Sequence, residues 1–439
     1  MLQIIIALII SIATLIAVSR YLKLHPFFSL ILASILFGSI MGKPLLEIIS
    51  AMQAGFGSLL QQIGFLVAIG SCLGIVMERT GAMTSIGNKI ISGFGPKKTL
   101  MAMIMIGVLV GIPVFCDSGF IILSRLVPAL ASSSTNATQL SLALSSGLYT
   151  THTLVPPTPG PLAAAANLGL TPNLGLVILV GLVGSIPVAL VAYLLSKKFG
   201  ATIETNQTTH IQTNASKHSS IFVFLPLILP IILISCGSLP GLIPALKSWS
   251  SFFQIAGNPS LALLIGLVCS FFLIAGKQKG EWPTWISEAL KDAGIIILIT
   301  GAGGAFGGVI KSSGVDVILK DYVSSTLAGG TVFLMIAFAL AAILKTAQGS
   351  STSAIIITSS LLAPLTTVAG FTSSLDLALL VLAIGGGAMT ISHANDSYFW
   401  VVSQFSGISE RSAYKSYTLI TLAQGLTALV TSILLYIAL

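Results

Sequence analysis

The sequence predicts an all-α polytopic membrane protein: two inverted repeats with re-entrant hairpins and discontinuous helices. Three observations predict it. Hydrophobic residues fill 55% of the 439 positions and charged residues only 7%, against about 25% charged in a soluble globular protein. The order of apolar and interrupted segments occurs twice along the chain. Glycine-, proline- and hydroxyl-rich breaks fall inside apolar runs. In hydrocarbon, irregular backbone persists only against protein or a water-filled cavity, because each unsatisfied polar group there costs several kcal/mol.

The same composition sets other classes aside. In so apolar a chain the net charge of +8 belongs to cytoplasmic loops and is no nucleic-acid signal. Cys72, Cys116, Cys236 and Cys269 lie in apolar runs without metal-ligand spacing and read as small buried hydrophobes. Residues 2–18 lack a basic leader and a small-x-small cleavage site, so they read as a retained helix. HExxH and nucleophile-elbow patterns are absent, which argues against an enzyme. An ion channel would show long clean pore-lining helices and charge rings; the sequence has neither.

Taken in order, residues 2–19 form a first membrane helix, and Pro26 opens a second through Met41. Residues 45–60 carry Glu47 and Gln53 and read as an interfacial stretch. Residues 62–77 are a glycine-studded span, and 78–98 a charged loop. Two apolar blocks follow, 100–131 interrupted at 111–120 and 140–166 interrupted at 148–161, then a clean span over 174–196. Residues 197–220 are the only long polar segment, a cytoplasmic linker between a first membrane repeat (1–196) and a second (221–439). In the second half, 221–236 and 261–275 are spans, 281–292 is a short amphipathic stretch and 295–310 is glycine-rich. Residues 332–365 are interrupted at 345–354, residues 375–402 at 384–400, and 414–439 close the chain. Trp249, Trp282 and Trp285 are expected at the membrane surface.

Gly70, Gly74, Glu78 and Gly81 share their spacing with Gly303, Gly307, Lys311 and Gly314. Glu78 and Lys311 thus end matched spans, where interface anchoring is their expected role. The loop 78–98 has four basic residues and one acid, and its counterpart 311–321 has two of each. The positive-inside rule places the first in the cytoplasm. With 100–131 and 332–365 as re-entrant hairpins, the linker is cytoplasmic and both termini lie outside. The halves are then inverted, as in many secondary transporters whose substrate binds between discontinuous helices.

Each break carries chemistry. Asp117 and Ser118 sit between Pro113 and Gly119; Asp117 suits a proton carrier, or a cap for the half-helix that follows. Gln348, Gly349, Ser350, Ser351 and Thr352 form a neutral donor cluster suited to a carboxylate or polyol, with Lys345 just upstream. Ordinary capping and small-residue packing would use the same residues. His152 precedes PPTPGP and reads as a proton relay or as a neutral histidine satisfied by freed backbone. His393 and Asp396 are three apart and would share a helical face, where they can trade a proton; Asn395 and Ser397 add substrate donors. The alternative is a polar knot that braces the break. Ionisable groups at membrane depth point to function by default. Freed carbonyls and hydroxyl clusters leave sodium coupling open as well as proton coupling.

The breaks resemble those of the gluconate permease (GntP) family of bacterial proton symporters, within the wider ion-transporter superfamily. The pieces are FCDSGF at 115–120, THTLVPPTPGP at 151–161, AQGSSTSA at 347–354 and SHANDSYFW at 392–400. The resemblance implies uptake of a small hydroxy-carboxylate (gluconate or a related sugar acid, in some members glycerate or D-serine). The proton would be the coupling ion, with no other cofactor. It also implies a broken-helix fold in the bacterial inner membrane and a homodimer. Many members carry His between the prolines of PPxPGP, where this chain has Thr158. That departure bears on substrate preference or on the proton path.

Overall fold

The computed structural model describes residues 2–95, 98–131, 135–203, 221–237, 240, 248–274, 280–314, 330–394 and 396–439. The helices of the first half are α1 (Leu2–Tyr21), α2 (Pro26–Ile40), α3 (Leu45–Arg79), α4 (Ala82–Phe94), α5 (Thr99–Val110), α6 (Cys116–Leu123), α7 (Val127–Leu130), α8 (Ala137–Leu154), α9 (Pro159–Asn167) and α10 (Leu174–Gly200). Those of the second half are α11 (Leu225–Gly237), α12 (Ser250–Ala256), α13 (Pro259–Phe271), α14 (Trp282–Ser312), α15 (Gly330–Gln348), α16 (Ser351–Leu362), α17 (Ser374–Met389), α18 (Ser397–Ser406), α19 (Glu410–Lys415) and α20 (Tyr417–Ala438). Among the described residues five helices are long and apolar enough to cross a membrane, six if the bent pair α12–α13 is one span. Of the linker 197–220, residues 204–220 lie outside the described residues, as do 315–321 of the loop 311–321.

Local chemistry sets many of the ends. Asn136 and Gln139 form a capping box at the start of α8, and Ser373 and Asp376 form one at the start of α17. Such boxes satisfy two backbone N–H groups that a helix start leaves orphaned. Proline stands in the first turn of α2, α9 and α13, where its missing N–H costs nothing.

Three expectations change. Residues 45–60 and 62–77 are not an interfacial stretch plus a span: they fuse into the 35-residue α3. Likewise 281–292 and 295–310 fuse into the 31-residue α14. At 1.5 Å per residue these run roughly 50 Å, against a hydrocarbon core of about 30 Å. The loop 78–98 contains α4, whose Ala82, Met83, Ile86 and Gly87 are buried while Asn88 and Lys89 are exposed. Trp285 packs inside the protein, unlike the exposed Trp249 and Trp282.

α3 and α14 run antiparallel. Arg79 at the end of α3 pairs with Glu288 near the start of α14 at 2.7 Å. Gly55, near the start of α3, meets Gly304 and Gly308 near the end of α14, backbone against backbone. The bundle therefore has an Arg79 end and a Lys311 end. α5 and α8 lie side by side and parallel: Thr151 donates to the Val108 carbonyl at 2.8 Å, and a Cβ on Gly147 would stand 2.5 Å from the Ile104 carbonyl. For two parallel neighbours to start at one level, the chain between them must turn back, and α6–α7 is that return. The same holds for α15 and α17, which touch at Phe338–Gly387, with Lys345 further along α15 meeting Asp396 beyond the end of α17, and with α16 returning. α8 and α17 meet antiparallel, through Tyr149–Ala388 and Thr153–Gly385. Both hairpins thus dip from opposite ends toward one central layer.

Candidate functional site

Four interruptions converge in that layer. The α5–α6 turn presents Asp117 in the first turn of α6. α8 stops at Leu154 and α9 restarts at Pro159. Gly349, with φ of +78°, lets the chain reverse between α15 and α16, a left-handed conformation that glycine adopts without steric cost. Ser350 then caps α16, its hydroxyl accepting from the Ser353 N–H at 3.2 Å. Residues 390–394 leave the helix after α17, and Asp396 caps α18 by accepting from the Tyr398 N–H at 3.1 Å.

At the centre is a buried ion pair. Lys345 Nζ stands 2.5 Å from Asp396 Oδ2, with the side chains only 1% and 6% exposed. Lys345 also donates to the Gly349 carbonyl at 3.0 Å and lies 5.9 Å over the Tyr149 ring. Asp396 accepts a further hydrogen bond from the Ser392 hydroxyl. Tyr149 and Ser351 hydroxyls are 2.5 Å apart, so the second hairpin tip is tied to α8. The Tyr398 ring lies 5.4 Å from that of Tyr149, tilted by 44°, and its hydroxyl donates to the Ser145 carbonyl at 3.0 Å. Asp117 accepts from Ser397 at 3.4 Å, which ties the first hairpin tip to α18. Gln424 of α20 braces α8, donating to the Ser146 carbonyl at 3.0 Å and to Thr150 at 2.8 Å.

The residues singled out from sequence fall as follows. Asp396, Gly349, Ser350, Ser351, Asp117 and Ser397 belong to this one layer. Thr352 begins the seam between α16 and α9, its Cα facing Gly160. His152 is buried with its ring 6.2 Å from Phe115, and its Nδ1 has no hydrogen-bond partner among the described residues. Both amide atoms of Gln348 are in the same position. Buried polar atoms left this way are uncommon and call for an explanation; a polar ligand is one. The shared helical face proposed for His393 and Asp396 does not form, because the described residues between α17 and α18, 390–394 and 396, are not helical. His393 offers its carbonyl to the Asp396 N–H at 2.8 Å, and Asp396 takes its charge partner from Lys345. Asn395 lies outside the described residues. Tyr149, Tyr398 and Gln424 went unnoticed in the sequence. The signal for Tyr149 was present, three residues before His152 in the same break.

Two cavities flank the layer. One, of about 640 Å³, opens between α3, α9, α14 and α16 and is lined in part by Ser58, Gln62, Asn167, Lys311, Ser360 and Thr367. Asn167 donates to Ser359 and Ser360 at 2.8 and 2.9 Å. The other holds only about 40 Å³ and includes Glu78, Asp292, Phe115 and Ser118. Ser118 therefore faces this narrow space; neither cavity is lined by Lys345 or Asp396. The cavity on one side of the layer is narrow and the one on the other side is wide.

Comparison with known proteins gives one family. The family model for GntP family permeases matches residues 2–438. Inner membrane permease YgbN of Escherichia coli K12 is 32% identical over 426 residues, 92% of each chain. A gluconate permease of Pseudomonas aeruginosa is 30% identical over 450 residues, 99% of this chain and 97% of that one. The Gnt-II system L-idonate transporter of Escherichia coli K12 is 29% identical over 408 residues, 90% of each. Among solved structures, the YdaH transporter of Alcanivorax borkumensis shares the fold, with a TM-score of 0.69 at 15% identity over 94% of this chain and 98% of that one. Matched from one end to the other, this chain belongs to the GntP permease family.

Proposed function

We propose that this permease is a symporter that imports a small hydroxy-carboxylate, gluconate or a related sugar acid, together with a proton across the bacterial inner membrane. The relatives' names support the substrate class and the membrane. The observation that carries the mechanism is the buried Lys345–Asp396 pair at the meeting of the helix breaks.

Charge balance couples the two solutes. The empty site holds Lys345⁺ and Asp396⁻ and is neutral. When a proton neutralises Asp396 and the substrate carboxylate takes its place on Lys345, the site is neutral again. Substrate alone leaves a net negative charge in the layer, and a proton alone a net positive one. Each half-loaded state buries an uncompensated charge, which is strongly unfavourable. Only the empty and the doubly loaded sites therefore rock between the two sides. Ser351, Thr352, Gln348 and Asn395 hold the substrate hydroxyls, and Asp117, His152 and His393 pass the proton. Rocking follows from halves 1–196 and 221–439 working as inverted repeats about the 197–220 linker, in each protomer of a homodimer.

Purified protein in liposomes with an imposed pH gradient and sodium-free buffer tests this, using gluconate, L-idonate, glycerate and D-serine. Wild type accumulates at least one of the first three. Asp396→Asn fixes the neutral form: it abolishes proton-driven accumulation and keeps substrate–substrate exchange, because the loaded site is still neutral while the empty one is not. Accumulation at the wild-type level by that variant removes Asp396 from the mechanism. A strict sodium requirement removes the proton.

A further inference from the structure

The wide cavity lies at the Lys311 end and the narrow one at the Arg79 end. They are built alike. Gly307 and Lys311 of α14 line the first; Gly74 and Glu78 of α3 line the second. These are the matched positions of the two glycine-spaced helix ends. The charges are opposite. Lys311 is the only charged side chain among the described residues lining the wide cavity, whereas Glu78 and Asp292 line the narrow one. Arg79 and Glu288 beside it pair with one another at 2.7 Å. A lysine in the last turn of a helix needs no special cause, since the helix dipole favours a cation there. Glu78 occupies the same place in α3 against that preference, so helix capping does not account for both.

We propose that the wide cavity is a loading site for the substrate anion. Lys311 draws in and holds the carboxylate, Gln62, Asn167 and Ser360 take the hydroxyls, and Glu78 with Asp292 repels the anion from the opposite mouth. The cavity volume of about 640 Å³ lies within the range of small-molecule sites. The two mouths then rectify the path: an anion gathers on the Lys311 side and leaves readily on the Glu78 side. This inference rests on the reading of the substrate as a hydroxy-carboxylate.

The test is a labelling rate, which needs no transport. In a chain with its four cysteines replaced by serine, Ser58→Cys and Thr367→Cys each place one thiol in the cavity. Each is reacted with a sulfonate-bearing and a neutral methanethiosulfonate at low ionic strength. Lys311→Gln is expected to lower the ratio of anionic to neutral rate about fourfold, as one charge some 5 Å away in water would do. The drop shrinks in 1 M salt, where the screening length is about 3 Å. Lys311→Arg keeps the ratio. A sugar acid that wild type transports slows labelling with Lys311 present and fails to with Gln. An unchanged ratio overturns the proposal, and so does a lowered ratio without protection by any transported acid. If wild type transports none of the acids, the proposed function fails on its own, and the labelling ratio still reports the charge of the cavity.

Discussion

Taking a lysine and an aspartate out of water costs several kcal/mol for each ion, and close pairing offsets that only when the remaining donors and acceptors are also filled. Asp396 meets the condition with Lys345, Ser392 and the Tyr398 N–H. Removing one partner strands the other. Lys345→Met is therefore expected to destabilise the protein by about 3–5 kcal/mol, seen as a lower melting temperature in detergent. The double variant Lys345→Met/Asp396→Leu strands no charge, only the Ser392 hydroxyl, the Tyr398 N–H and the Gly349 carbonyl, and is expected to melt above Lys345→Met alone, yet to show no uptake. Uptake by the double variant would reduce the pair to a structural brace. Asp396 was legible in the sequence as an acid at membrane depth. Lys345 was visible too, but its partner was not: the pair forms only because a hairpin tip from one segment meets a helix break from another, and no spacing along the chain records that meeting.

Between elements, glycine sets how closely the hairpins approach the helices they serve. A Cβ on Gly107 of α5 would stand 2.6 Å from the Leu144 carbonyl oxygen and 2.7 Å from the Leu148 nitrogen, both backbone atoms of α8. Gly57 of α3 faces open space. Gly107→Ala is expected to force the two helices apart at a cost of about 1–3 kcal/mol. Gly57→Ala is expected to be neutral or to stabilise by up to about 1 kcal/mol, from helix propensity alone. Equal melting temperatures for the two variants would mean that α5 is not held against α8 in solution. At this scale the sequence was a good guide to interrupted segments: the block expected at 332–365 became α15 and α16, broken at Gly349. It misled where polarity was taken for membrane depth. Glu47 and Gln53, which marked 45–60 as interfacial, are exposed on α3, Ser58 lines the wide cavity, and α3 runs through all three without a stop. In the charged segment after Arg79, α4 went unread although Met83, Ile86, Ile90 and Phe94 recur at helical spacing and Lys89 is its one charge; the basic residues at its two flanks, Arg79, Lys97 and Lys98, set the reading instead.

Across the whole molecule, the direction of transport depends on which end of the bundle is cytoplasmic. Gln3 donates to the Ile40 carbonyl at 2.8 Å and Tyr436 meets Gly330, so both chain termini lie at the Lys311 end. Asn136 donates to the Gly200 carbonyl at 2.8 Å, joining the start of α8 to the end of α10 at the Arg79 end. Among the described residues, Lys23, Arg79, Lys98, Lys197, Lys198, Arg411 and Lys415 flank helix ends on that side, with Lys89 inside α4, against Lys43 and Lys311 on the other. Basic residues are retained in the cytoplasm during insertion, so the Arg79 end is expected inside and the wide cavity outside. A cysteine at the exposed Thr372 should then react with a membrane-impermeant maleimide in intact spheroplasts. One at the exposed Thr202 should react only after the membrane is opened. The reverse pattern would turn the Lys311 cavity toward the cytoplasm. The same charges would then retain the anion on the inside and hinder its release, and an importer built in that way would work against its own electrostatics.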